Sequence, residues 1–367
     1  MGFNCGIVGL PNVGKSTIFN ALTAAGAEAA NYPFCTIEPN TGIVAVPDER
    51  LWKLSQISGS QKVIPTSVEF VDIAGLVKGA SEGEGLGNQF LGHIRAVDAV
   101  VHVVRCFEDE NITHVEGEVD PKRDVELIET ELMLSDLASV EKRIERIKKT
   151  AKSGNKESLE ELSDLEDAKK YLDEGICLYL AKAEELPKFR NLGLITAKPV
   201  LFVGNIAESE LSRISEGISG KHLLKLQAVA QEKNCPLVPL SGQVEAELSQ
   251  LEGEDRKDFL EALGLTESGL ERLAKAGYQI LDLVTFFTSG VKETRAWTIK
   301  RGQTAPEAAG VIHTDFEKGF IRAEVISYAD FIECKGEQGA REKGKLRIEG
   351  KSYIVEDGDV VHFRFNV

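Results

Sequence analysis

The sequence predicts an α/β domain that is split by a helical insertion and followed by a small β-rich module. Three observations carry this expectation. Over about the first 110 residues, short apolar runs alternate with Gly-rich turns, as βα units do. From Asp124 that grammar gives way to apolar positions spaced three and four apart, and it resumes after Pro199. From Leu281 onward β-branched and aromatic residues, Gly-containing turns and strand-like runs dominate.

In chain order, residues 3–8 read as a strand and 15–25 as a helix, with further buried strands at 68–71 and 99–104. Met133, Leu137, Val140, Ile144 and Ile147 form an amphipathic stripe of coiled-coil character. Ser153-Gly-Asn155 breaks it, and Leu159, Leu162, Ala168 and Tyr171 begin a second stripe, giving an αα-hairpin. Strands return at 200–203 and 237–240, and 360–365 is a strand of the last module. The expected division is 1–121 with 199–280 for the α/β domain, 122–198 for the inserted hairpin and 281–367 for the β-rich α+β module.

Composition sets the limits. At ~150 residues per domain, 367 residues make about two or three domains. With 42% hydrophobic and 28% charged residues, the chain has the make-up of a soluble globular protein. No run approaches the ~18 apolar residues of a membrane span. The start, Met1-Gly-Phe-Asn-Cys-Gly6, has neither a basic leader region nor the Ser/Thr of a myristoylation motif. A cytoplasmic location without membrane association is therefore expected. The six cysteines include no Cys-x-x-Cys, which excludes a zinc ribbon and points to reduced thiols. Net charge is −16, which argues against nonspecific nucleic-acid binding. Residues 281–367, with 13 Lys/Arg and 14 Asp/Glu, carry only −1 of it, leaving −15 to the first 280.

The chemistry begins at Gly9-Leu-Pro-Asn-Val-Gly14-Lys15-Ser16, which fits the P-loop pattern and stands between a strand and a helix. In such a loop the backbone N–H groups and the helix N-terminus cradle phosphates. Lys15 reaches the outer phosphates and the Ser16 hydroxyl ligates Mg²⁺. Asn12, Val13, Gly14 and Thr17 complete the expected cradle. Asp72-Ile-Ala-Gly75 follows a strand where P-loop proteins keep a second Mg²⁺-linked carboxylate, with the Gly75 N–H at the γ-phosphate. Four glycines between Gly79 and Gly87 suit a switch segment. Thr36 and Thr41 lie about twenty residues beyond Ser16, where a switch Thr completes the metal shell, and composition does not choose between them.

Residues 9–17, 31–41, 70–76 and 79–90 closely resemble the YchF subfamily of the Obg-type GTPases, the Obg-like ATPases. The resemblance extends through the helical insertion to the tail, where Ala309 to Arg322 looks like a TGS domain, and it spans essentially the whole chain. It implies a Ras-like G domain, Thr36 as the switch metal ligand, ATP hydrolysis and association with ribosomes, either the large subunit or the whole particle. Related enzymes with Asn at position 12 bind K⁺ between the phosphates, which adds K⁺ to Mg²⁺ among the expected cofactors.

The base reader of GTPases is N-K-x-D. Here the equivalent is Asn205-Ile206-Ala-Glu208, with no Lys stem and a longer acid, so guanine selectivity is expected to be lost. Asn205 can instead offer its amide to adenine N6/N7, with Ile206 as an apolar contact and Ser241 bordering the base. Leu76 occupies the position of the water-orienting Gln. By the resemblance His114 becomes the candidate for that role, with His93 in reserve. In the tail, Arg341 to Lys351 holds five basic and two acidic residues; likeness to TGS domains makes it a candidate RNA contact. The expected function is a ribosome-associated ATPase. The alternatives are an Obg-type GTPase and a nucleotide-gated adaptor with incidental turnover.

Overall fold

The computed structural model describes residues 3–29, 40–73, 86–151, 155–215 and 217–366. Its first sheet contains β1 (Asn4–Val8), β2 (Thr41–Ala45), β4 (Ser67–Asp72), β5 (Ala99–Arg105), β6 (Val200–Asn205) and β7 (Leu237–Leu240). Strand order is β2-β4-β1-β5-β6-β7, parallel throughout except for β2 against β4. β5 is buried along its whole length because β1 and β6 flank it and helices cover the sheet, which is why it is rich in Val. α1 (Lys15–Ala29) follows β1, and Ile18 and Leu22 enter the same core as Ile7, Phe70, Val101 and Val203.

The helical insertion forms as the two stripes predict. α2 (Glu49–Ser58) and α3 (Leu86–Ala96) precede it; its own helices are α4 (Pro121–Ala151) and α5 (Lys156–Asp173). Asn155 caps α5 by accepting the Ser158 N–H at 3.1 Å. Val140, Ile144, Leu165, Ala168, Leu172 and Phe189 make a core of its own. Its root is pinned by Asp136, fully buried, whose carboxylate accepts the Ile195 N–H at 3.1 Å and the Thr196 N–H and hydroxyl at 2.7 Å each. Among the described residues no helix is long and apolar enough to cross a membrane.

The second sheet runs β11-β10-β12-β8-β9-β3. Its members are β8 (Leu283–Ser289), β9 (Thr294–Lys300), β10 (Phe320–Ser327), β11 (Arg347–Glu349), β12 (Asp359–Phe365) and, from far upstream, β3 (Val63–Ile64). The segment joining β2 to β4 is thus built into the C-terminal module. β3 lies parallel to β9 at Thr294 and Arg295. Leu51 and Leu54 of α2 pack with Phe287, Ala296, Phe331 and Val360. Arg50 bonds Asp48 and Asp357 and lies over the Phe287 ring. Ser60 bonds the Gly290 carbonyl and Thr294. A sequence division at 281 misses this, because two residues of strand have no periodicity to read.

Leu54 is fully buried in that shared core. Leu54→Ala is expected to cost ~2–4 kcal/mol and to lower hydrogen-exchange protection in β8 and β9 as much as in α2. Loss confined to α2 would show the two parts to be independent.

The basic tail cluster is largely matched by acids. Arg341 pairs with Glu337 and Glu324, Lys343 with Glu333, Lys345 with Asp330, and Arg347 with Glu349 and Asp359. Counting charge along the sequence could not reveal these partners, since most of them lie on other elements.

Candidate nucleotide-binding site

The loop between β1 and α1 rises at the C-terminal end of the parallel strands, the end where open α/β sheets bind ligands. Asn12 (φ 62°) and Gly14 (φ 95°) take left-handed backbone conformations that turn the loop back on itself. A Cβ on Gly14 would stand 2.1 Å from Asn205 Nδ2, so only glycine fits there. Lys15 is buried and donates to the Leu10 carbonyl at 2.6 Å, with the loop folded around its ammonium. Burial pulls the Lys15 pKa down to about 8, opposed by Asp72. Burial likewise pushes the Asp72 carboxyl up, and Lys15 pulls it back. Ser16 and Thr17 are exposed at the start of α1. A cleft of about 550 Å³ opens above them, lined by Asn12, Gly14, Lys15, Ser16 and Thr17 at one end, a volume suited to a nucleotide.

The other end of the cleft is formed by the loops after β5, β6 and β7. Asn205, Ile206, Glu208 and Ser241 all line it, as the sequence leads one to expect. Asn205 also has a structural task that the sequence does not reveal. Its Nδ2 donates to the Val13 carbonyl at 2.9 Å and its Oδ1 accepts the Gly242 N–H at 3.0 Å. The side chain is buried, so the amide ties the P-loop to the β6 and β7 ends before any base arrives. These two bonds use one Nδ2 hydrogen and one Oδ1 lone pair, so a second donor and a second acceptor remain for the adenine N6/N7 edge. Ile206 is 2% exposed, packed with Phe202, Leu223 and Val244, so what it gives the cleft is an apolar floor. Glu208 opens the helix Glu208–Ser215 and is exposed.

His114 makes bonds that the sequence does not show. It is 5% exposed; its Nε2–H donates to Asp124 Oδ2 at 2.8 Å, and its Nδ1 accepts the Glu116 N–H at 3.1 Å. The backbone donor at Nδ1 assigns the tautomer. Burial pushes the Asp124 carboxyl up, while His114 and Arg123 favour its ionised form. With both ring nitrogens engaged and the ring outside the cleft lining, His114 does not face an attacking water in this structure. The spacing of His114 and Asp124, loop against first turn of α4, gives no sequence signal of the pair. The adjacent residue does reach the P-loop: Asn12 Nδ2 donates to the Thr113 carbonyl at 3.1 Å. His93 is exposed on α3. Thr36, Gly75 and Leu76 lie outside the described residues. Thr41 opens β2 and pairs with Val71.

Sequence reasoning missed Phe107, Glu108, Asp109, Ile112 and Gln243, all of which line the base end. The rule that ligands bind beyond the carboxyl ends of parallel strands could have found them, because the first four follow β5 directly.

Two family models match the chain. One, described as 50S ribosome-binding GTPase, covers residues 4–135. The other, YchF-GTPase_C, described as a protein of unknown function (DUF933), covers residues 283–366. The chain is 56% identical to the Ribosome-binding ATPase YchF of Haemophilus ducreyi and 55% to that of Escherichia coli O157:H7, over 100% of each chain. It is 52% identical, again over 100% of each chain, to the protein of the same name from Bacillus subtilis (strain 168). The solved structure of the Schizosaccharomyces pombe YchF GTPase superposes with a TM-score of 0.88 at 40% identity, covering 99% of this chain and 98% of that one.

Proposed function

The chain belongs to the YchF family of P-loop nucleoside triphosphatases, and from that premise we propose that it hydrolyses ATP to ADP and phosphate with Mg²⁺ while engaging the ribosome. One observation carries the reading: a single cleft joins the Lys15–Ser16 phosphate cradle to a base end built from Ile206 and Glu208. Phosphoryl transfer is catalysed chiefly by positioning and charge neutralisation. Lys15 supplies the cation. The backbone N–H groups of Val13 and Gly14 and those opening α1 are placed to hold phosphate oxygens. The Ser16 hydroxyl and the Asp72 carboxylate are the hard oxygen donors that Mg²⁺ takes, with Thr36 proposed as a third ligand and Gly75 at the γ-phosphate. Asn12 is the proposed K⁺ contact. When bound, these ions offset charge on the phosphates.

The relatives are named for ribosome binding, which supports a ribosomal partner and with it a cytoplasmic location. RNA contact through residues 341–351 is the finer proposal. It requires Arg341, Lys343, Lys345 and Arg347 to exchange their acidic partners for phosphates. All four cations are at least 43% exposed, and the pairs with exposed acids are worth only ~0–1 kcal/mol each. The buried acids Glu324 and Asp359 keep Arg364 and Tyr353 as partners if Arg341 and Arg347 turn away.

His114 is proposed to orient water only after leaving Asp124. The competing reading, a nucleotide-gated adaptor, is favoured by that same bond. Single-turnover phosphate release from ATP, with and without ribosomes, separates the two. The enzyme reading expects release to be lowered ~10²-fold or more by His114→Ala, as general acid–base or water-positioning groups contribute, with ATP affinity held within a few-fold. Asp124→Asn, which weakens the retaining bond, should not lower it. Parental rates in His114→Ala would exclude that residue, and release no faster than in Lys15→Ala would leave the adaptor.

A further inference from the structure

We propose that Arg105 is the positioning residue for the base end of the nucleotide site, holding residues 107–112 as one wall of the cleft. The inference rests on the nucleotide reading given above. Arg105 closes β5 and is 1% exposed, among the largest fully buried side chains. Its bonds go to main-chain carbonyls: Nε to Phe107 at 3.1 Å, Nη1 to Ile112 at 2.9 Å and Nη2 to Asp109 at 3.2 Å. The face of the guanidinium lies 4.5 Å from the centre of the Phe107 ring. Among the described residues it forms no ion pair; burial disfavours its charge, and Asp109 and Asp124 favour it from beyond contact.

A buried cation without a direct counter-ion is costly, and it persists only where its donors are otherwise satisfied. Here the planar fork does what no other side chain could. Its donors diverge to three carbonyls spread over six residues and so fix the course of a segment that has no helix or strand of its own. Phe107, Glu108, Asp109 and Ile112 of that segment all line the cleft, and Ile112 is 37% exposed there. Other side-chain bonds in this region are His222 on Glu108, Asn12 on the Thr113 carbonyl and the Asp109 carboxylate on the Asn111 N–H. None of the three reaches the carbonyls that Arg105 holds, of which the Asp109 carbonyl also accepts the Ile112 N–H at 3.3 Å. Across the sheet Arg105 is paired with Asn205, so one strand end sets the P-loop anchor and its neighbour sets the base wall.

Because the wall meets the base and not the phosphates, its loss should separate two affinities. The full chain is titrated in Mg²⁺ with ATP and with inorganic triphosphate, which occupies the cradle without a base. Arg105→Lys keeps the charge but loses the fork; it should weaken ATP about tenfold and leave triphosphate within about twofold, with kcat at saturating ATP unchanged. Arg105→Gln, neutral and with two N–H donors, is the second variant should the first not fold, and the same ratio is read from it. Equal weakening of ATP and triphosphate, or unchanged ATP affinity, overturns the proposal. A parent protein that binds neither probe overturns the nucleotide reading itself, so the two failures are distinct.

Discussion

Lys15→Met is expected to abolish ATP hydrolysis and, in the same protein, to raise resistance to unfolding. The first effect follows from removing the cation that offsets charge on the transferring phosphoryl group. The second follows from what the structure does with that cation. Lys15 is 8% exposed, bonded to the Leu10 carbonyl, and its pKa is drawn down to about 8 from the ordinary 10.5 by burial, against the pull of Asp72. A lysine held below its unfolded pKa costs the folded state stability. That cost is fully present below about pH 8 and fades as pH rises through 8 towards 10.5. At pH 7 its removal should stabilise the protein on the order of 1–3 kcal/mol. Denaturant unfolding of parent and variant at pH 7 checks this, and the gap should close above pH 10. For the parent, triphosphate affinity should fall as pH passes about 8, because the neutral amine no longer attracts phosphate. A Lys15→Met protein less stable than the parent at pH 7 would show that the buried ammonium supports the fold.

The second large effect is expected at Asn205. Asn205→Ala leaves the Val13 carbonyl and the Gly242 N–H without their partner in a buried setting, at ~1–3 kcal/mol for each group. Since Val13 belongs to the phosphate loop, ATP, GTP and inorganic triphosphate should all bind at least ~10-fold more weakly. A base-reading Asn predicts a different pattern, with ATP weakened and triphosphate untouched. Calorimetry with the three ligands decides between them.

These cases mark where the sequence was readable. The strand, Gly-rich loop and helix around Lys15 announce themselves because the loop geometry demands particular residues at fixed spacing. The two stripes of the hairpin were equally plain, as were β5, β6 and β7, where buried parallel strands impose apolar runs. The contact partners were hidden. Nothing in the order of residues links Asn205 to Val13, His114 to Asp124, or Arg341 to Glu324, since each bond joins separate elements. Arg105 did leave a trace, an arginine ending a mostly apolar strand, where a buried cation needs carbonyl partners. The implanted segment around α2 and β3 left none, because its residues suit an ordinary βα connection as well as they suit the second sheet.

That implant also bears on how the site could be read out. β2 follows the segment carrying Thr36, β4 ends at Asp72, and the chain between them is anchored to β8 and β9. The two segments proposed to hold Mg²⁺ are therefore tied to the C-terminal module by the backbone itself, and the module is the part that carries residues 341–351.

The proposed ATP site stands on a G-domain frame. Its base end has Ile206 where guanine readers place a Lys stem and Glu208 where they place a shorter acid. A site whose polar groups match one base leaves them unpaired with another. Calorimetric titration of the purified protein with ATP and GTP in Mg²⁺ tests this most directly. ATP should bind at least ~10-fold more tightly, about 1.4 kcal/mol; GTP binding as tightly as ATP, or more tightly, would contradict the account and make the protein a GTPase of the Obg type.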